Sequence, residues 1–190
     1  VVSSLPQLNT LALPAVADPS VWDLVPSLPA LTSLEVCGPK EGSADFRASI
    51  MQCEGLLHLD CLKLLQSESS LIPLLQSAMA QRLHSLSLSV SGSVIRPAEF
   101  VSGLSRLPSL RSLHLACRPM RHLMLELPRA PALRSFTLQP HLMAITEAAS
   151  AAACVQILCR LLAAAPQLRC VLQIEPGLEQ IYKAQWMMER

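Results

Sequence analysis

Ser87, His114 and Thr137 hold the same place in three similar stretches: SLSLS at 85–89, SLHLA at 112–116 and SFTLQ at 135–139. If those stretches lie side by side, two hydroxyls and an imidazole form one row. Serine beside histidine is the pair that activates a hydroxyl for acyl transfer. That chemistry also needs an acid to orient the histidine and N–H donors for the oxyanion. The neighbouring stretches offer no carboxylate for either role, so no catalytic residue is assigned. His58, His84 and His141 read as isolated polar residues near strand edges. The chain has no G-x-x-x-x-G-K, G-x-S-x-G or H-E-x-x-H, and its 6 glycines leave little material for a phosphate cradle. Its 7 cysteines include no C-x-x-C pair and sit mostly among apolar residues. They read as reduced, buried small hydrophobes of an intracellular protein, cytoplasmic or nuclear, rather than as zinc ligands. No metal set and no cofactor are expected.

Charge gives better candidates. Arg106, Arg111, Arg118, Arg121, Arg129 and Arg134 gather in one part of the chain. Arg111 and Arg134 share a repeat phase and should stand side by side, where guanidinium forks suit carboxylates or phosphates. Glu35 and Lys63 are expected opposite each other on neighbouring strands, about 5 Å apart. The candidate partner-binding set is therefore Arg111, Arg134, Arg106, Glu35, Lys63, Ser87, His114 and Thr137. The whole-chain charge is only +1 and aromatics are 3%, which argues against nucleic acid and an anionic membrane surface. The longest apolar run, 151–165, is interrupted by Arg160 and is shorter than the roughly 20 residues of a membrane span.

The elements that would carry these residues come from a repeat. The phrase LPSLRSLHL at 107–115 returns as LPQLNTLAL, LPALTSLEV and APALRSFTL. Aligned on L-x-x-L-x-L, the anchors are Leu8-Leu11-Leu13, Leu31-Leu34-Val36, Leu59-Leu62-Leu64, Leu83-Leu86-Leu88, Leu110-Leu113-Leu115 and Leu133-Phe136-Leu138. A weaker seventh copy starts at Leu168 and Val171. Alternating leucines over a few residues predict a short strand with one buried face. Recurrence at intervals of about 20–29 residues predicts stacked units that each add one strand to a parallel sheet. Proline stands two residues before the first anchor at Pro6, Pro29, Pro108, Pro131 and Pro166. It ends the preceding segment and turns the chain extended before the ladder begins, so it removes no sheet hydrogen bond.

Helices are expected between strands: from Asp18-Pro19-Ser20, over 44–53, over 70–79 and from Arg96-Pro97 to about Arg106. Trp22, Phe46 and Phe100 should fill the core. Met120–Leu125 reads as a short extended segment. The longest helix is expected within 142–165, with Val155, Leu158 and Leu162 as its apolar stripe.

On these anchors the chain resembles the leucine-rich repeat family, from about Leu5 to Ile174. The likeness is to its irregular intracellular type, similar to the repeat regions of F-box proteins. It departs from the family where Asn or Cys often follows the last anchor. The resemblance implies an α/β leucine-rich-repeat solenoid, a horseshoe with a parallel concave sheet and convex helices, in about seven repeats. Residues 1–175 would form the solenoid, a piece of a longer chain, and residues 176–190 a capping helix carrying Leu178, Ile181, Tyr182 and Trp186. It also implies that residues flanking the anchors face the concave side: Thr10, Ser33, Cys61, Ser85, Ser112 and Ser135 in one column, with Ala12, Glu35, Lys63, Ser87, His114 and Thr137 in the next. The small column either lines a groove for a peptide or merely relieves crowding. The implied function is a non-catalytic protein–protein interaction or scaffolding module, with no nucleic acid and no membrane insertion. Two alternatives are the substrate-recognition region of an F-box ubiquitin-ligase adaptor and a structural subunit of a large assembly.

Overall fold

A computed structural model describes residues 5–13, 20–37, 44–64, 71–90, 97–117, 130–140 and 148–173. Strands β1 (Thr10–Leu13), β2 (Ser33–Cys37), β3 (His58–Leu64), β4 (Ser85–Val90), β5 (Ser112–Cys117), β6 (Ser135–Pro140) and β7 (Arg169–Leu172) form one seven-stranded sheet in chain order. Every neighbouring pair is parallel. Parallel neighbours need a crossover at each step. The described crossovers carry helices α1 (Ser20–Leu24), α2 (Ala44–Met51), α3 (Leu71–Gln76), α4 (Pro97–Ser105) and α5 (Ala148–Ala164), with 3₁₀ turns at Val25–Ser27 and Ala80–Arg82. The arrangement is α/β. Among the described residues no helix is long and apolar enough to cross a membrane.

The leucine alternation becomes one buried face. Leu34, Leu59, Leu86, Leu113 and Phe136 are each within 2% of full burial and stand in register across five strands. Val36, Cys61, Leu88, Leu115 and Leu138 repeat the pattern two residues on. Trp22, Ile50, Leu74, Leu75, Phe100, Val101 and Leu104 from the helices join the same continuous core. Each fully buried leucine of this kind is worth roughly 1.5–3 kcal/mol. At the two ends the inward residues Leu11, Leu13, Cys170 and Leu172 are only partly buried.

The starts of β2 to β6 are each set by a shared carbonyl. Asn9 O accepts the N–H of both Thr32 and Ser33, and Thr32 O that of Leu57 and His58. Leu57 O, His84 O and Arg111 O repeat this toward the following strand. Gly55 occupies the approach to β3, where a Cβ would lie 3.1 Å from Leu31 O. A larger residue there would have to push the neighbouring backbone away by a few tenths of an ångström.

Three expectations need correction. The third unit is displaced by three residues: Leu59 pairs with Leu34 and Cys61 with Val36, so its anchors are Leu56, Leu59 and Cys61. The stretch LLHLDCLKLL fits the leucine pattern in two registers, and the one chosen buries a cysteine as an apolar anchor. In the seventh unit Cys170 pairs with Phe136 and Leu172 with Leu138, while Val171 is turned outward at 37% exposure. On α5, Val155 and Leu158 are buried but Leu162 is 40% exposed, and the inward face runs through Cys154, Ile157 and Leu161 instead. Trp22 and Phe100 are core residues as expected, at 2% and 0% exposure. The Phe46 side chain, the Met120–Leu125 segment, His141 and the 176–190 helix lie outside the described residues.

Candidate functional site

Side chains alternate across a strand, so residues between the buried anchors occupy the opposite face of the sheet. The corrected register gives two columns there. One runs Thr10, Ser33, His58, Ser85, Ser112, Ser135, Arg169. The other runs Ala12, Glu35, Asp60, Ser87, His114, Thr137, Val171. Their members are half-exposed to exposed. The first column is interrupted by His58, where Cys61 was expected. Glu35 stands in register with Asp60, where Lys63 was expected; the Lys63 side chain lies outside the described residues. Asp60 Oδ1 is buried without a hydrogen-bond partner among the described residues. His58 is not isolated either: its ring meets that of His84 edge-on, with centroids 6.3 Å apart.

The second column brings Ser87, His114 and Thr137 together as expected, and adds a carboxylate that the sequence register had hidden. Asp60, Ser87 and His114 occupy three consecutive strands. The order is wrong for a catalytic triad, which needs the histidine between acid and serine. Here the serine is in the middle, and Asp60 lies two strand spacings, about 9.6 Å, from His114. His114 Nε2 instead lies 3.1 Å from Gln139 Oε1 on the next strand. Behind the column, burial pushes the Cys61 thiol well above its usual range, and the adjacent Asp60 carboxylate adds to that. A thiol held neutral in this way is a poor nucleophile. Burial also lifts Cys53 and Cys170, each to about 11.

The arginines lie at the N-terminal ends of the strands. Arg111 N–H donates to His84 O at 2.8 Å, Arg134 N–H to Arg111 O at 2.9 Å and Arg169 N–H to Arg134 O at 2.9 Å. All three are exposed, but they do not form one row: Arg111 and Arg134 immediately precede β5 and β6, whereas Arg169 opens β7 in register with Ser135. Arg111 and Arg134 line one open groove of about 500 Å³ with Pro108, Pro131 and Ala132. Arg134 Nη1 donates to the carbonyl of Leu133 at 3.1 Å, which helps fix the guanidinium over the groove. Arg106 is not part of this set. It lines a separate groove between α3 and α4, with Glu99, Gln76 and Gln81. With Cys170 as the inward residue of the seventh unit, Arg169 joins the first outward column and not the Arg111–Arg134 pair. Its signal was an arginine directly before an inward cysteine, the place that serine holds in β6.

Among the described residues no cluster of three or more His, Cys, Asp or Glu side chains could hold a metal ion. No model of a known protein family matches the chain, and no curated protein matches it.

Proposed function

We propose that the chain is a leucine-rich-repeat solenoid that works as a non-catalytic protein-interaction module, with the anchor-free face of its sheet as the docking surface. The observation that carries this is the division of labour along the strands. One face is an unbroken apolar ladder, while the other presents half-exposed Ser33, Ser85, Ser87, Ser112, His114, Ser135 and Thr137. A repeat stack exposes such a surface because each unit contacts only its neighbours and leaves one sheet face uncovered. The columns contain short, rigid hydroxyl side chains that lose little entropy on contact and offer both donors and acceptors. Serine rather than histidine occupies the middle of the Asp60–Ser87–His114 row, which supports a contact role over a triad.

Expression of the protein in its native cells, followed by affinity capture, tests this reading. Wild type should retain a defined set of proteins, and Ser87→Arg and Thr137→Arg should each lose them while keeping the wild-type circular dichroism spectrum. Capture of no specific protein by wild type would overturn the module. Unchanged capture by both variants would move the contact off this face.

A further inference from the structure

We infer that the groove between Arg111 and Arg134 is the docking site for an acidic, extended segment of a protein partner. The inference rests on the interaction-module reading and names what part of the partner binds, and where. The first ground is size. Seven strands make six spacings of about 4.8 Å, so the sheet is roughly 29 Å wide, and strands of four to seven residues make it about 15–20 Å deep. That is on the order of 500 Å² in projection, so a partner burying the roughly 800 Å² of accessible surface usual for one side of a stable interface covers the whole face and reaches its edges.

The second ground is charge. The N-terminal edge of β5 and β6 carries two exposed arginines, Arg111 and Arg134, one strand spacing apart at the backbone and lining one groove. Among the described residues neither has a carboxylate partner. Side by side, like charges destabilise the free protein slightly and favour whatever brings negative charge to them. Guanidinium forks fit carboxylates in bidentate geometry. The prolines decide the form of the ligand. Pro108 and Pro131 give the groove rigid apolar walls without N–H groups. Such walls accept the backbone and methylenes of an extended chain, while the arginines take its carboxylates. Alternate side chains of an extended segment recur about every 6.6 Å, within reach of arginines spaced 4.8 Å apart at the backbone. Nucleic acid is a poorer occupant, since no described residue of this edge offers an aromatic ring for a base to stack on.

Fluorescence anisotropy tests the site directly. The probe is a labelled peptide of about ten residues alternating Glu and Ser, set beside the same peptide with Gln for Glu. Wild type should bind the Glu peptide at least about ten-fold more tightly than the Gln peptide, and more weakly as salt rises. Both Arg111→Glu/Arg134→Glu and the milder Arg111→Gln/Arg134→Gln should lose at least about ten-fold, while Arg82→Glu should not change binding. Equal binding of the two peptides, or full binding by both double variants, overturns the site. A single-stranded oligonucleotide of equal charge binding more tightly than the Glu peptide overturns it in favour of nucleic acid. Cellular capture separates the two proposals. Partners retained by the double variants but lost on Ser87→Arg would remove this docking site and leave the module standing.

Discussion

Leu113 and His114 are neighbours in the chain and lie on opposite faces of β5, so replacing each with alanine tests the face assignment with one residue of separation. Leu113 is fully buried, and its register partners Leu86 and Phe136 are at 1% and 0% exposure. Truncation removes about three carbons, or roughly 2.4 kcal/mol of transfer free energy at about 0.8 kcal/mol each. The neighbours sit on hydrogen-bonded strands and cannot close the gap fully, so a cavity term raises the total to about 3–4 kcal/mol. At a few degrees per kcal/mol for a chain of this size, Tm should fall by about 6–14 °C. His114→Ala loses a half-buried contact to Gln139 Oε1 and no packing. Its effect should stay below about 1 kcal/mol, or about 3 °C. Urea and thermal unfolding followed by far-ultraviolet circular dichroism measure both. Equal losses, or a larger loss for His114→Ala, would refute the assignment of faces and with it the register that places the candidate surface.

Three further outcomes follow from the same geometry. In the folded protein Cys159, which is exposed, should react with a maleimide well before Cys53, Cys61 and Cys154, which are buried; peptide mass mapping with and without urea reads the order. Cys53 and Cys170 have thiols raised from an ordinary 9.0 to about 11, so the unfolded chain releases their protons first. Their contribution is complete below about pH 9 and is lost as pH rises toward 11, so the urea midpoint should fall across that window and fall less in a Cys53→Ala/Cys170→Ala variant. Gly55→Ala should destabilise by about 1 kcal/mol or more, because the new Cβ meets the backbone oxygen of Leu31 at 3.1 Å. Gly103→Ala, in α4, should stay within about 0.5 kcal/mol, because its Cβ meets only the movable Leu75 side chain at 3.2 Å and the helix gains from alanine.

The legible parts of the fold were those carried by unambiguous apolar anchors. Leu86, Leu113 and Phe136 stand on β4, β5 and β6 as their spacing requires, and the same phase places Ser87, His114 and Thr137 side by side. Proline before the anchor located the starts of β5 and β6, and with them the stacking of Arg111 on Arg134. Legibility failed where the apolar signal was degenerate. In LLHLDCLKLL leucine is available in two registers, and only burial of Cys61 against the helices chooses between them. That three-residue shift puts Asp60 in the second column at the place expected of Lys63, and brings His58 to His84. In the last unit a cysteine again holds an inward place, which puts Arg169 in the column of Ser112 and Ser135. The exposed Leu162 shows the limit of helical spacing alone: α5 is rich in alanine, and packing decided which of several apolar stripes turned inward.

Photo-crosslinking places the partner most directly. A benzophenone amino acid is introduced singly at Ser87, at Ser112 and, as a control on the helix side, at the exposed Gln156 of α5. The full protein is then irradiated in its native cells. The account predicts crosslinks to the same protein from positions 87 and 112, none from 156, and crosslinked peptides from the partner that are rich in Asp and Glu. Crosslinks from 156 alone would contradict it, because the partner would then sit on the helices and the uncovered face of the sheet would not be the docking surface.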